Sequence, residues 1–127
     1  MSHEIHHGHL IKELSDQLEP LFLHSPQAIY LYLDDTHKTC NQKFADLLGY
    51  SSIQDWIANE YPIEDLSVED RDKGIEAYMN ASRNLNASTL EGTWITQKGK
   101  KVKTEVTMVP IPYKDETFVL HFITEKK

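Results

Sequence analysis

The chain has 127 residues, enough for one ordinary domain that buries roughly two thirds of its unfolded surface without disulfides or structural metal. A net charge of −7, from 13 basic and 20 acidic residues, opposes binding to nucleic acid or to a membrane surface, because both attract clustered Lys and Arg. The single cysteine, Cys40, excludes an internal disulfide framework and any CxxC redox or zinc motif; without an apolar run of membrane-spanning length or a secretory signal, the expected location is the cytoplasm.

Leu10, Ile11, Leu14, Leu18, Leu21 and Phe22 recur at steps of three and four and predict an amphipathic helix that kinks or restarts at Pro20 and ends at Ser25-Pro26. Before it, His3, His6, His7 and His9 read as a solvated tail; His3 and His7 sharing a helix face, or the free Met1-Ser2-His3 terminus, are the alternatives for metal, and no metal site is expected. The division is thus residues 1–19, tail and helix, and residues 20–127, the main domain. Residues 27–34 form an unbroken apolar run that suits a central strand, followed by a short strand at 37–40. Asn41 is placed to cap a two-turn helix bearing Phe44, Leu47 and Leu48, stopped at Gly49.

Ser52 with Asp55, and Ser67 with Asp70, stand at capping-box spacing and mark two further helix starts. The second is the longest helix of the body, expected to turn Val68, Ile75, Tyr78, Met79 and Leu85 inward. Residues 90–97, 101–111 and 118–124 then read as an antiparallel meander turning at Lys98-Gly99 and Lys114-Asp115. Lys98, Lys100, Lys101 and Lys103 give this part a basic edge, read as a solvated hairpin tip. Trp94 is expected to face the helices and to matter more for stability than Trp56, which is placed near the domain edge.

The segments SPQAIYLYLD (25–34), NQKFADLLGYS (41–51), VEDR (68–71), EGTWITQKG (91–99) and ITEK (123–126), in this order and spacing, resemble the PAS sensor family over nearly the whole chain. The resemblance implies an α+β fold, a five-stranded antiparallel sheet in order 2-1-5-4-3 with helices on one face, here preceded by an N-terminal amphipathic helix. It also implies a cavity under the helices and a sensory or protein-interaction role rather than an enzymatic one. Its cavity candidates are Tyr30, Tyr32, Phe44, Leu48, Trp56, Ile75, Tyr78, Met79, Trp94, Met108 and His121, each of which could equally be plain core. Where the family commonly carries Asp before Ile-Thr at the end of the last strand, this chain has Phe122 before Ile123-Thr124, and no output segment follows. Output is therefore expected in trans, on a separate signalling protein such as a histidine kinase or regulator.

The resemblance implies that a haem-binding member, like the family's oxygen sensors, would need an axial histidine on the long helix, and residues 68–85 have none; His24 and His121 lie elsewhere. The resemblance likewise implies that covalent flavin, as in the family's blue-light members, would need a helical Cys motif, whereas Cys40 precedes Asn41 and reads as a small buried residue; noncovalent flavin stays open, and no cofactor is expected. Neither metal nor chromophore should be needed for folding. Asp34-Asp35 and Glu64-Asp65 read as turn acidity, and a second reading makes the chain a small α+β enzyme or carrier using His121 or Glu91. Finally, the last strand is apolar on both sides. Phe118, Leu120 and Phe122 need a cover, which predicts a homodimer sealed by Leu10, Ile11, Leu14, Leu18 and Leu21, with folding back in cis as the alternative.

Overall fold

The computed structural model describes residues 3–126, with side chains from residue 6. Helices α1 (His3–Gln17) and α2 (Glu19–His24) lead into strands β1 (Ala28–Asp34) and β2 (His37–Cys40). Helices α3 (Gln42–Leu48), α4 (Ile53–Ile57) and α5 (Val68–Asn84) follow, then β3 (Ser88–Ile95), β4 (Lys101–Tyr113) and β5 (Glu116–Glu125). The five strands form one sheet in the order β2-β1-β5-β4-β3 with antiparallel pairing throughout, as expected. Strand β1 lies between β2 and β5, which accounts for its unbroken apolar run.

Each face of the sheet carries its own core. On the inner face Phe44, Leu48, Trp56, Leu66, Trp94, Val106 and Met108 pack between the strands and the helices that follow β2. On the outer face Ile29, Leu31, Leu33, Phe118 and Leu120 pack against Leu10 and Leu14 of α1. Burial of each such side chain is worth roughly 1.5–3 kcal/mol, so α1 is an integral layer of the fold. The helical segment breaks at Leu18, where Pro20 enters the first turn of α2, and α1 before the break shares the outer core with the strands. Helix α1 also extends back to His3, so the His-rich start is helical rather than a tail; Met1 and Ser2 lie outside the described residues, as does the side chain of His3. Of the residues expected to face a second copy, Leu10, Leu14, Phe118 and Leu120 are buried within the one chain, while Ile11, Leu18, Leu21 and Phe122 are only partly covered.

Asn41 caps α3 as its position suggests and does more. Its Oδ1 accepts from the backbone N–H of Phe44 and of Ile29, each at 3.0 Å, and its Nδ2 donates to the Gln27 carbonyl at 2.8 Å. One buried amide thereby ties the entry of β1 to the first turn of α3. Asn41→Ala should cost about 2–3 kcal/mol, from a lost cap and buried groups left without partners, read as a lowered urea midpoint at unchanged slope.

Three local expectations are corrected. The Ser67 hydroxyl does not cap α5; it donates to Asp70 Oδ2 at 2.9 Å, and that oxygen accepts the Thr93 N–H of β3 at 2.8 Å. Burial pushes the Asp70 carboxyl up, but these hydrogen bonds outweigh it and hold the group below its ordinary range. Helix α5 buries Gly74 and Ala81, with Ala77 and Tyr78 beside them, while Val68 and Leu85 are exposed and Ile75 is about half covered. Its small residues let the helix come close, and a Cβ on Gly74 would lie 3.0 Å from Leu66 Cδ2. Strand β4 continues through Pro110 and Pro112 to Tyr113; β3 pairs with it only as far as Met108, so the prolines fall where the β3 side of β4 is open.

Candidate functional site

Between the inner sheet face and α5 lies a cavity of about 260 Å³. Tyr30 and Tyr32 of β1, Trp94 of β3, Val106 and Met108 of β4 and His121 of β5 supply its sheet wall. Trp56 of α4, Gly74, Ile75 and Tyr78 of α5, Pro62, Ile63 and Leu66 of the segment between them, Leu90 and Gly92 of β3, and Asp35 just after β1 complete it. Eight of the expected residues therefore meet here: Tyr30, Tyr32, Trp56, Ile75, Tyr78, Trp94, Met108 and His121. Phe44 and Leu48 are buried in the adjoining core without lining the cavity, and Met79, on α5, does not line it either.

An aromatic cluster gives the cavity its floor. The imidazole of His121 stacks on the Tyr30 ring with centroids 3.8 Å apart and planes 12° from parallel, across the β1–β5 register pair that these residues form. Phe44 and Trp56 approach Tyr30 at 4.8 and 5.3 Å. Burial pulls the His121 pKa down to about 3, so the ring is neutral and Nδ1–H donates to the Val119 carbonyl at 3.1 Å. Burial also moves the Tyr30 phenol upward, and among the described residues its hydroxyl has no hydrogen-bond partner. The Trp94 indole N–H donates to Thr104 Oγ1 at 2.9 Å, which donates onward to the Gly92 carbonyl at 2.8 Å, so that this buried polar edge is satisfied.

The rim is pinned from several sides. Tyr78 donates to the Leu33 carbonyl at 3.2 Å and meets Tyr32 edge to face at 5.1 Å, while the Tyr32 hydroxyl donates to Asp35 at the mouth. Arg71 holds the Pro62–Leu66 segment by donating to the Leu66 and Glu64 carbonyls at 3.0 and 3.1 Å. Behind Trp56, the buried ammonium of Lys38 sits 5.3 Å from the ring centroid and donates to the Ile57 and Asn59 carbonyls at 2.9 and 2.8 Å, and to that of Asp35.

Sequence reasoning missed Asp35, Leu66, Gly74, Leu90, Gly92, Val106 and the Pro62–Ile63 rim. Leu66 is clasped between two glycines, its methyls 3.0 and 3.2 Å from where Cβ atoms on Gly74 and Gly92 would stand. A glycine inside a helix and another inside a strand, both against local propensity, were the available signal. Cys40 is buried at a strand end as expected, its thiol pushed up to about 12 by burial. Glu91 is exposed, pairs with Lys126 and does not line the cavity, so it does not converge with His121. Among the described residues no helix is long and apolar enough to cross a membrane.

No curated protein matches the chain significantly. Among solved structures, the PAS domain of a two-component sensor histidine kinase superposes with a TM-score of 0.67 at 17% identity, covering 91% of this chain and 99% of that one. The PAS domain of an HTR-like protein from Haloarcula marismortui gives 0.64 at 22% identity, covering 91% and 94%. A domain of the sensory box sensor histidine kinase/response regulator from Geobacter sulfurreducens gives 0.63 at 20%, covering 88% and 95%. These likenesses agree on the fold, and the family model described as the PAS domain matches residues 16–82, more than half of the sequence. The chain belongs to the PAS domain family, typical of sensory modules in signal transduction.

Proposed function

We propose that this chain is a sensory module that takes a small, neutral, largely apolar ligand into the cavity floored by Tyr30 and His121 and relays its presence through β1 and β5. The observation that carries this reading is the cavity itself, about 260 Å³ with mainly aromatic and aliphatic walls. At roughly 30 Å³ per water it has the room of eight or nine waters, just below the usual range of sites for drug-sized ligands. That size favours a compact ring compound over haem or a flavin nucleotide. The Tyr30 hydroxyl offers the ligand one hydrogen bond.

The relay follows from strand alternation. Tyr30 and His121 face the cavity, while their neighbours Ile29, Leu31 and Leu120 face α1 on the other side of the sheet. A ligand that shifts the stacked pair moves the surface on which Leu10 and Leu14 rest. The receiver is then a separate signalling protein, for example a histidine kinase or regulator; the resemblance to domains of such kinases supports this choice. A homodimer is part of the same proposal. It would use the half-covered rim of the outer core, Ile11, Leu18, Leu21 and Phe122, rather than its buried centre. Light scattering at tens of micromolar should give twice the chain mass of 14.7 kDa, and a monomer would remove this element.

A filled cavity tests the ligand reading. Val106→Phe adds bulk to a lining residue that is 3% exposed, next to open volume. The variant should stay folded and lose the melting-temperature increase that small ring compounds give the parent. An equal increase in the variant would place binding elsewhere.

A further inference from the structure

Outside the cavity, four side chains from four strand and helix ends meet where α1 crosses the sheet. They are His7 of α1, Asp34 at the end of β1, His37 at the start of β2 and Glu116 at the start of β5. The turn holds Asp34 in place: Oδ1 accepts the Thr36 and His37 N–H groups at 3.0 and 2.8 Å. The two imidazoles then flank this carboxylate, His7 Nδ1 at 2.7 Å from Oδ2 and His37 Nδ1 at 2.7 Å from Oδ1. Donor atoms of all three residues lie within 4.8 Å of one another, on side chains that are 16%, 36% and 13% exposed for His7, Asp34 and His37.

We propose that His7 Nδ1, His37 Nδ1 and Asp34 Oδ2 form a binding site for a divalent transition-metal ion such as zinc or cobalt, which clips α1 to the sheet. The donor set is right for that class, two imidazole nitrogens and one carboxylate oxygen, and wrong for calcium or magnesium, which prefer all-oxygen shells. Metal–ligand bonds of about 2.0–2.1 Å put neighbouring donors about 2.9–3.4 Å apart, so His7 Nδ1 and Asp34 Oδ2, now 2.7 Å apart, need open by only a few tenths of an ångström, and His37 Nδ1, now on Oδ1 and within 4.8 Å of both, turns from that oxygen toward the ion.

Glu116 supplies the second reason. His7 has a carboxylate at each nitrogen, Asp34 at Nδ1 and Glu116 Oε1 at 3.4 Å from Nε2. When Nε2–H is donated to Glu116, the Nδ1 lone pair points at the Asp34 carboxylate, an arrangement that needs a cation between them. A proton can fill that place, and so can a metal ion. With the ion bound, the proton between His7 and Asp34 leaves to solvent. Glu116 then fixes the tautomer by the carboxylate–histidine–metal arrangement common in such sites.

The test uses the full chain without an affinity tag, freed of metal by chelation and titrated with Zn(II). Calorimetry should show one saturable equivalent. His37→Gln should weaken it by more than about tenfold, the loss seen when even a residue that only orients a ligand is removed, and His9→Gln should leave it unchanged. Ring resonances of His7 and His37 in the parent protein should shift together on Zn(II) addition, which decides the matter even where a variant folds poorly. The proposal is overturned by shifts confined to His3, His6 and His9, by full affinity in His37→Gln, or by no saturation at millimolar Zn(II); the last would leave a proton-bridged cluster only.

Discussion

Trp56→Ala should lower stability by about 3–5 kcal/mol, at least as much as Trp94→Ala, the reverse of the order expected from sequence. Trp56 is 1% exposed and Trp94 6%. Phe44 and Tyr30 crowd Trp56 at 5.2 and 5.3 Å, and the Lys38 ammonium lies over its ring. Truncation would leave a large void and deprive a buried cation of its aromatic partner. Trp94 has rings only at 5.9 and 6.3 Å, and since both indoles border the cavity, it is the closer packing of Trp56 that sets the order. Urea midpoints of the two variants make the comparison, and a Trp56→Ala midpoint close to the parent's would contradict this packing.

The second large effect is acid instability centred on His121. The folded protein holds this ring at about 3, against an ordinary value of 6.5. Above pH 6.5 both folded and unfolded chains carry it neutral, and it contributes no pH dependence. As pH falls below 6.5 the unfolded chain takes up a proton that the folded chain refuses. Stability is then lost at up to roughly 1.4 kcal/mol per pH unit until the folded pKa is reached. Subtracting the stability curve of His121→Phe from that of the parent isolates this loss from the carboxylates that titrate below pH 5. Parallel curves between pH 6.5 and 4 would show that His121 is not buried and neutral.

Much of the architecture was legible because local chemistry and global fold agree. Pro20 splits the first helix, Asn41 and Gly49 bound α3, and the apolar run at 28–33 sits centrally in the sheet. What escaped depends on distant partners. Nothing near Lys38 announces a buried ammonium, since the carbonyls of Ile57 and Asn59 that hold it come from the last turn of α4 and from just beyond it. Nothing near His7 announces Asp34 or Glu116. The long helix was misread for a related reason: its inward face is made of Gly and Ala, which hydrophobic periodicity underweights, while Val68 and Leu85 lie outside. At the site, aromatic residues were found by type and strand position, whereas the glycine clasp on Leu66 required knowing that α5 and β3 approach the same side chain.

The most direct test of the ligand-binding reading is an NMR titration of the full chain with benzene, a probe that apolar cavities even smaller than this one accept. The account predicts saturable shifts centred on the Met108 methyl and the Trp94 indole N–H, reaching Leu10 and Leu14 through β1 and β5 and absent in Val106→Phe. Shifts that leave Met108 and Trp94 untouched, or that persist unchanged in Val106→Phe, would contradict it.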